Sequence, residues 1–336
     1  MSEMRTVRGF EDVWRPPVRS RRVRPETVLA HADGRSNTRA RLQRLVRKAP
    51  EVMVKVTGRA RDTAHLRAHL DYVTRNGQLE AEDRDGWPLL GRDEVRSLGD
   101  CWAWSHEMDS GRRRNSALSL SLILSMPAGT DAIRLRDAAR AFARDAFEGG
   151  HDYLLVLHTD TPHPHVHVTV KARGDGGQRL NPKKADLEAW RQAFARALRD
   201  RGIEAEATPR RARGVTRKAE RGPIRRMRER YFAGHGVASR AFRGALADAA
   251  RVAASGQPEP TEWETRTARR QAVIRGLYRA QAELLARSPD SSDRALAAAL
   301  RTFVDGMLPP DTQRLGLARV LRNRDATKTR RPERNH

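Results

Sequence analysis

Two apolar runs, DYLLVLH at residues 152–158 and HVHVTVKA at 165–172, are separated only by TDTPHP. This spacing constrains the fold more than any other feature: the runs read as strands paired in an antiparallel hairpin closed by that loop. Strand periodicity puts His165, His167 and Thr169 on one face and Val166, Val168 and Val170 on the other. In the register the loop sets, His158 lies opposite His165, with directly opposed Cβ atoms ~5 Å apart. Three imidazoles then converge on one patch. His163 precedes Pro164 in the loop and has the lesser claim. The competing reading is a set of core histidines, but three aligned by one register favour a metal site with open positions for substrate oxygens. Asp160 is placed to accept the second N–H of a ligand and fix its tautomer. A divalent ion is expected, Mg²⁺ or Mn²⁺ foremost and Zn²⁺, Co²⁺ or Ni²⁺ as alternatives; Mg²⁺ would lean more on phosphate and water oxygens.

Around the hairpin the chain alternates strand and helix signals. EVMVKVTG reads as a strand, and Asp62 is placed to cap the helix TAHLRAHLDYVTR, which Asn76-Gly77 ends. A polar stretch with Trp87, Trp102 and Trp104 follows, then the strand ALSLSLILSMP and the helix DAIRLRDAARAFARDAFEGG. After the hairpin comes the helix ADLEAWRQAFARALRDRG. The order β-α-β-α-β-β-α predicts an α+β domain over residues 51–207, an antiparallel sheet with flanking helices. Residues 1–50 read as a basic, largely disordered arm with a short helix near 36–48. Residues 208–236 form a basic connector, 237–323 an α-helical region, and 324–336 a basic disordered tail.

Charge decides the partner class. The 336 residues carry 66 Lys and Arg against 42 Asp and Glu, a formal net charge of +24. Such a chain is drawn to polyanions, nucleic acid foremost. The single cysteine, Cys101, excludes a disulfide framework and a thiolate zinc site. No apolar run approaches the ~18 residues of a membrane span, so the expectation is a cytoplasmic protein without membrane insertion. Arg173, Arg179, Lys183 and Lys184 follow the histidine strand and are expected to track backbone phosphates. Trp87 or Trp190 is a candidate for stacking bases, with the core favoured for Trp190.

Metal-assisted attack on a phosphodiester needs a nucleophile, water or a tyrosine. Of four tyrosines, Tyr153 has the parity of the packed face and Tyr278 sits among apolar residues, while Tyr231 after the connector stays open. Tyr72 lies beside the face marked by Leu66, Leu70 and Val73, a border position from which a hydroxyl reaches a cleft.

Residues 52 to 214 resemble the nuclease domain of conjugative and mobilisation relaxases of the plasmid-mobilisation and T-DNA border-endonuclease type, within the His-hydrophobic-His endonucleases. LDYVTRNG, SLSLILSMPAGT and GGHDYLLVLHTDTPHPHVHVTVKARGDGGQRLNP carry the resemblance. It implies that His158, His165 and His167 hold the metal and that Tyr72, grouped with Asp160 in the catalytic site, is the nucleophile. The implied reaction nicks and rejoins single-stranded DNA at an origin of transfer through a 5′-phosphotyrosine, with His69 or water taking the phenol proton. The resemblance also implies a bacterial protein exported with its bound DNA, with relaxosome accessory proteins and a type IV coupling protein as partners of the helical region. Deleting residues 215–336 is then expected to block transfer but not nicking. A water-using nuclease, a rolling-circle replication initiator and a non-enzymatic DNA-binding accessory protein are the alternatives. Finding no protein on the 5′ end of a nicked product would favour the first of these.

Overall fold

The computed structural model describes residues 4–14, 38–147, 150–217, 220, 222–255 and 259–329. They divide into two units: residues 38–208, and residues 5–14 together with 209–329. The first unit is α+β. Its strands are β1 (Met53–Ala60), β2 (Ala81–Asp83), β3 (Pro88–Leu89), β4 (Ser119–Ser125), β5 (Tyr153–His158) and β6 (His165–Lys171). They form one sheet in the order β1-β4-β6-β5-β2-β3, antiparallel at every pairing. Its helices are α1 (Thr38–Val46), α2 (Thr63–Val73), α3 (Gly91–Glu107), α4 (Ala132–Phe147) and α5 (Lys184–Arg199).

Period-two alternation gives the sheet two different faces. Leu120, Leu122, Leu124, Val166, Val168, Val170, Tyr153 and Leu155 pack with Phe142, Phe147, Phe194 and Trp190 of α4 and α5. Each such side chain contributes about 1.5–3 kcal/mol by leaving water. On the opposite face Leu154 and Val156 meet Leu66, Leu70 and Val73 of α2 and Val95 and Trp102 of α3. That apolar layer stops short of the histidines, because β6 and β4 present Thr169, His167, Ser121 and Ser125 there in place of hydrocarbon.

The stretch between α2 and β4, read from sequence as a polar segment with tryptophans, forms β2, β3 and the seventeen-residue helix α3. The buried positions of α3 are Val95, Gly99, Trp102, Ala103 and His106. That is helical spacing, but a glycine and a histidine occupy two of the five places and mute the apolar signal. Gly99 is what lets α3 approach α2: a Cβ there would stand 2.7 Å from Leu70 Cδ1.

Helix α1 belongs to this unit. Leu42 and Leu45 are buried, and Arg44 Nε donates to the buried Glu206 carboxylate at 2.8 Å.

The second unit contains α6 (Gly222–Phe232), α7 (Arg240–Ala254), α8 (Glu262–Ala286), α9 (Ser291–Asp305) and α10 (Gln313–Thr329), the all-α region expected from the pattern. Residues 5–14, expected as part of a disordered arm, are ordered here by tertiary contacts. Phe10 and Trp14 pack edge-on against Tyr278, with centroids 5.8 and 6.3 Å apart. Gln281 holds the same segment by its backbone, accepting from Val7 N–H and donating to the Arg5 carbonyl, both at 2.9 Å. The expected disorder of residues 1–3, 15–37 and 330–336 lies outside the described residues.

Gly77, just after α2, has φ +82°, and a Cβ there would stand 2.3 Å from the Arg92 backbone nitrogen at the start of α3. Both the conformation and the contact exclude a side chain. Gly77→Ala should therefore cost more than ~1 kcal/mol in urea unfolding, and an unchanged midpoint would show that this turn does not need glycine.

Candidate functional site

The site forms where α2 ends above the histidine hairpin. Asp62 caps α2 by accepting the His65 N–H at 2.7 Å, and Leu66, Leu70 and Val73 bury its inner face. Tyr72 is left 60% exposed. Its neighbour Asp71 accepts from Arg92 at 2.7 Å and Arg96 at 2.9 Å, fixing the tyrosine helix to α3. These guanidinium hydrogen bonds hold the Asp71 carboxyl far below the usual carboxylate range. After Thr74 come three consecutive residues with positive φ: Arg75 at 52°, Asn76 at 57° and Gly77 at 82°. The buried Thr74 hydroxyl closes this turn, donating to the Leu70 carbonyl at 2.8 Å and accepting the Gly77 N–H at 3.2 Å. A left-handed arginine costs about 1 kcal/mol. Its conformation coincides with a side chain that lies over the Tyr72 ring, 5.2 Å from guanidinium carbon to centroid.

Below this turn the hairpin pairs His158 with His165, as the loop length predicts. The three imidazole centroids stand 4.5, 5.1 and 5.2 Å apart. One ligand nitrogen from each of His158, His165 and His167 lies within 4.8 Å of the others. Backbone groups select which nitrogen is available. His158 Nε2–H donates to the Val73 carbonyl at 2.6 Å, which leaves Nδ1. His165 Nδ1–H donates to the His163 carbonyl at 3.1 Å, which leaves Nε2. His167 is 6% exposed, and its Nδ1 is buried with no hydrogen-bond partner. Three imidazoles, each offering a nitrogen within 4.8 Å of the other two, form a donor set that suits a divalent ion. Burial, then the neighbouring imidazoles, lowers the His167 pKa to about 3, and burial also lowers that of His158. Both are therefore neutral, the form that ligates metal.

Tyr72 meets this cluster edge-on, its ring centroid 6.3 Å from that of His167. Asp160 does not play the part expected of it. Its carboxylate is 3.9 Å from His158 Nδ1, too far for a hydrogen bond, and instead takes the Arg75 guanidinium at 2.5 Å. The orienting group for His158 is the Val73 carbonyl. Arg75 was not singled out from the sequence. It links Asp160, the Tyr72 ring and, at 3.5 Å, His158 Nδ1. Its residue type was visible; its reach depends on the left-handed turn.

His69 is tied to the sheet, its Nε2 2.9 Å from Ser121 Oγ and 3.0 Å from Thr169 Oγ1. Arg173 and Arg179 both pair with Asp109, whereas Lys183 and Lys184 are exposed at the start of α5. Trp190 is core and Trp87 is 70% exposed. Tyr153 and Tyr278 are buried, and Tyr231 packs against Phe232 and Phe242.

Two outcomes follow. His167→Ala should weaken Mn²⁺ or Zn²⁺ binding in calorimetry by at least ~10-fold; undiminished binding would remove it from the donor set. The His69 pKa is lowered to about 4 by burial, then by His65. As pH falls below the ordinary imidazole value of ~6.5, protons bind the unfolded chain first, so stability is lost between about pH 6.5 and 4. His69→Gln should flatten the stability–pH curve across that window, and an unaltered curve would mean that His69 titrates normally.

Residues 92–203 match the family model described as relaxase, MobA/VirD2-like, nuclease domain. The matched segment holds His158, Asp160, His165 and His167; Tyr72 lies before it. The T-DNA border endonuclease VirD2 of Rhizobium radiobacter is 28% identical over 166 residues, 44% of this chain and 39% of that protein. The protein of the same name from Agrobacterium fabrum (strain C58 / ATCC 33970) is 28% identical over 166 residues, 44% and 37% of the two chains. The chain thus spans about two fifths of the length of these curated relatives. A solved structure described as "Molecular Basis of Vancomycin Resistance Transfer in Staphylococcus aureus" covers 47% of this chain and 99% of its own, at 14% identity. Its TM-score of 0.33 is too low to establish a shared fold.

Proposed function

We propose, from the match of residues 92–203 to the MobA/VirD2-like relaxase nuclease domain, an enzyme that nicks and rejoins one DNA strand at an origin of transfer, with Tyr72 as nucleophile. The observation that carries this reading is the exposed Tyr72 held edge-on to His167, above three converging imidazoles.

The His158, His165 and His167 nitrogens fit a divalent metal, Mg²⁺ or Mn²⁺ foremost. When bound, such an ion polarises a phosphodiester oxygen and offsets the charge that develops at phosphorus. The chain's own residues do the rest. The Tyr72 oxygen attacks phosphorus, the new O–P bond forms, and the bond to the 3′ oxygen breaks. A phenol keeps its proton at neutral pH, so it must lose it during attack. Tyr72 is open to solvent, and water takes that proton, because His69 Nε2 already has two hydroxyl partners. The leaving oxygen takes a proton and becomes a free 3′-hydroxyl. One phosphodiester has been exchanged for another, so rejoining needs no ATP. Arg75, over the ring face and held by Asp160, favours negative charge on the phenol oxygen and on the phosphate. Relaxosome accessory proteins and a type IV coupling protein are the partners this reading assigns to the helical region. No helix among the described residues is long and apolar enough to cross a membrane.

Incubating the protein with labelled origin oligonucleotides and Mn²⁺ should give an adduct that survives denaturing electrophoresis. Tyr72→Phe should abolish it while leaving oligonucleotide affinity within about 2-fold, since only the reacting atom is removed. An undiminished adduct moves the nucleophile elsewhere, and nicking without an adduct replaces tyrosine by water. Arg75→Ala should slow adduct formation by roughly 10²-fold, in the range of a lost charge-stabilising donor; a wild-type rate would leave Arg75 a purely structural role.

A further inference from the structure

We propose that Arg112, Arg113 and Arg114, on the loop between α3 and β4, grip the phosphate backbone of the DNA strand beyond the nick site. Arg173 and Arg179 shape that loop instead of touching DNA. The proposal rests on the nicking function above and extends it to the path of the strand.

The first observation is where positive charge goes unanswered. Many arginines of the first unit are neutralised internally: Arg67 by Asp100, Arg84 by Asp175, Arg92 and Arg96 by Asp71, Arg140 by Glu82. Arg112, Arg113 and Arg114 are exposed, and among the described residues no carboxylate lies within ion-pair distance of them. Arg61 and Lys183 are exposed in the same way. All of these sit at one end of the sheet. Leu118, just after the loop, donates its N–H to the Ala60 carbonyl at 2.9 Å, which places Arg61 beside it. Arg59 reaches Asn181 at 3.4 Å, two residues before Lys183.

The second observation is that the loop is built. Asp109 accepts the Gly111 N–H on its carboxylate at 3.1 Å and the Arg112 N–H on its carbonyl at 3.0 Å. Arg113 and Ser116 close a second turn, with the Arg113 N–H on Ser116 Oγ at 3.0 Å and the Ser116 N–H on the Arg113 carbonyl at 2.9 Å. The Asp109 side chain is 6% exposed and takes both Arg173, at 3.4 Å, and Arg179. Two cations are thus committed to the one carboxylate that folds the loop, and three others are held outward by it. The charge of Arg112 reaches inward too: His106 is held below the usual imidazole range by burial, then by Arg112 and by the loop-shaping Arg179.

Chemistry selects the occupant. Three adjacent guanidiniums suit a ligand with repeated anionic groups, and a phosphodiester strand supplies one per nucleotide. The segment DSGRRRNS has no aromatic residue to stack a base, so the contacts add affinity without sequence choice. The loop is also on the way to the nucleophile. Thr63, at the first turn of α2, donates to Glu107 at the last turn of α3, at the foot of the loop. Tyr72 lies nine residues further along α2, about 14 Å away at ~1.5 Å per residue. A strand must therefore extend several nucleotides from the reacting phosphate to reach the arginines.

That distance makes the test. The full chain with Arg112→Gln, Arg113→Gln and Arg114→Gln combined is compared with wild type for binding single-stranded oligonucleotides of about 3 and about 25 nucleotides centred on the nick, across a salt series. Three lost phosphate contacts at ~0.7 each should reduce the slope of log affinity against log salt by about 2 for the long oligonucleotide. The short one should keep its slope. An unchanged slope for the long strand, or an equal fall for both lengths, overturns the proposal. Arg173→Gln, which leaves Arg179 on Asp109, should keep the wild-type slope; a fall of about 0.7 would put Arg173 on phosphate and overturn its assignment. Melting curves confirm that the variants fold. Failure of the nicking reading is seen separately, as absence of any covalent adduct with wild-type protein at either length.

Discussion

Pairing of His158 with His165 across the β5–β6 hairpin sets the positions of every group at the site. Strand side chains alternate, so this register sends His165 and His167 to one face and Val166, Val168 and Val170 into the core under α4 and α5. A slip of one residue would bury the imidazoles in hydrocarbon and expose three valines, which is why the register is so strongly specified. The same pairing fixes where α2 must end. Its last apolar residue, Val73, is buried on that face, and its carbonyl takes the second nitrogen of His158.

The hairpin and the tyrosine helix are therefore mutually dependent. The helix orients a histidine through a backbone carbonyl, and the hairpin loop returns Asp160 to the turn that follows the helix. Arg75 sits at that junction, in a left-handed conformation that only a surrounding structure can impose. Burial keeps His158 and His167 neutral, so in a chain of net charge +24 these two imidazoles add no further repulsion. Positive charge is concentrated instead in guanidinium groups, some locked to buried carboxylates and others free at one end of the sheet.

Ion pairs also tie distant elements of the first unit together. Asp71 is held by Arg92 and Arg96, Glu82 by Arg140, and Glu206 by Arg44. Each joins elements distant in the chain at a point where one partner is shielded from water. Exposed pairs of this kind contribute little. With one partner buried they act chiefly by setting orientation, as Asp71 does for the residue beside it, Tyr72.

Much of this was legible in the sequence. The histidine hairpin, its register, the tyrosine helix with its Asp62 cap and glycine stop, and the all-α second half follow from spacing of two and of 3.6 and from loop length, which are local properties. Helix α3 was not legible, because a glycine needed for close packing and a histidine stand at apolar positions, and their burial is decided by α2 and the sheet. The ordering of residues 5–14 likewise depends on Tyr278 and Gln281, far away in sequence. Asp160 and Arg179 carry the expected charge but meet partners chosen by the fold, Arg75 and Asp109. The sequence by itself determined which residue types face the site, since periodicity is a property of the backbone. Only the tertiary structure decided which nitrogen His158 offers and which cations remain free, since both depend on carbonyls and carboxylates brought together from distant segments.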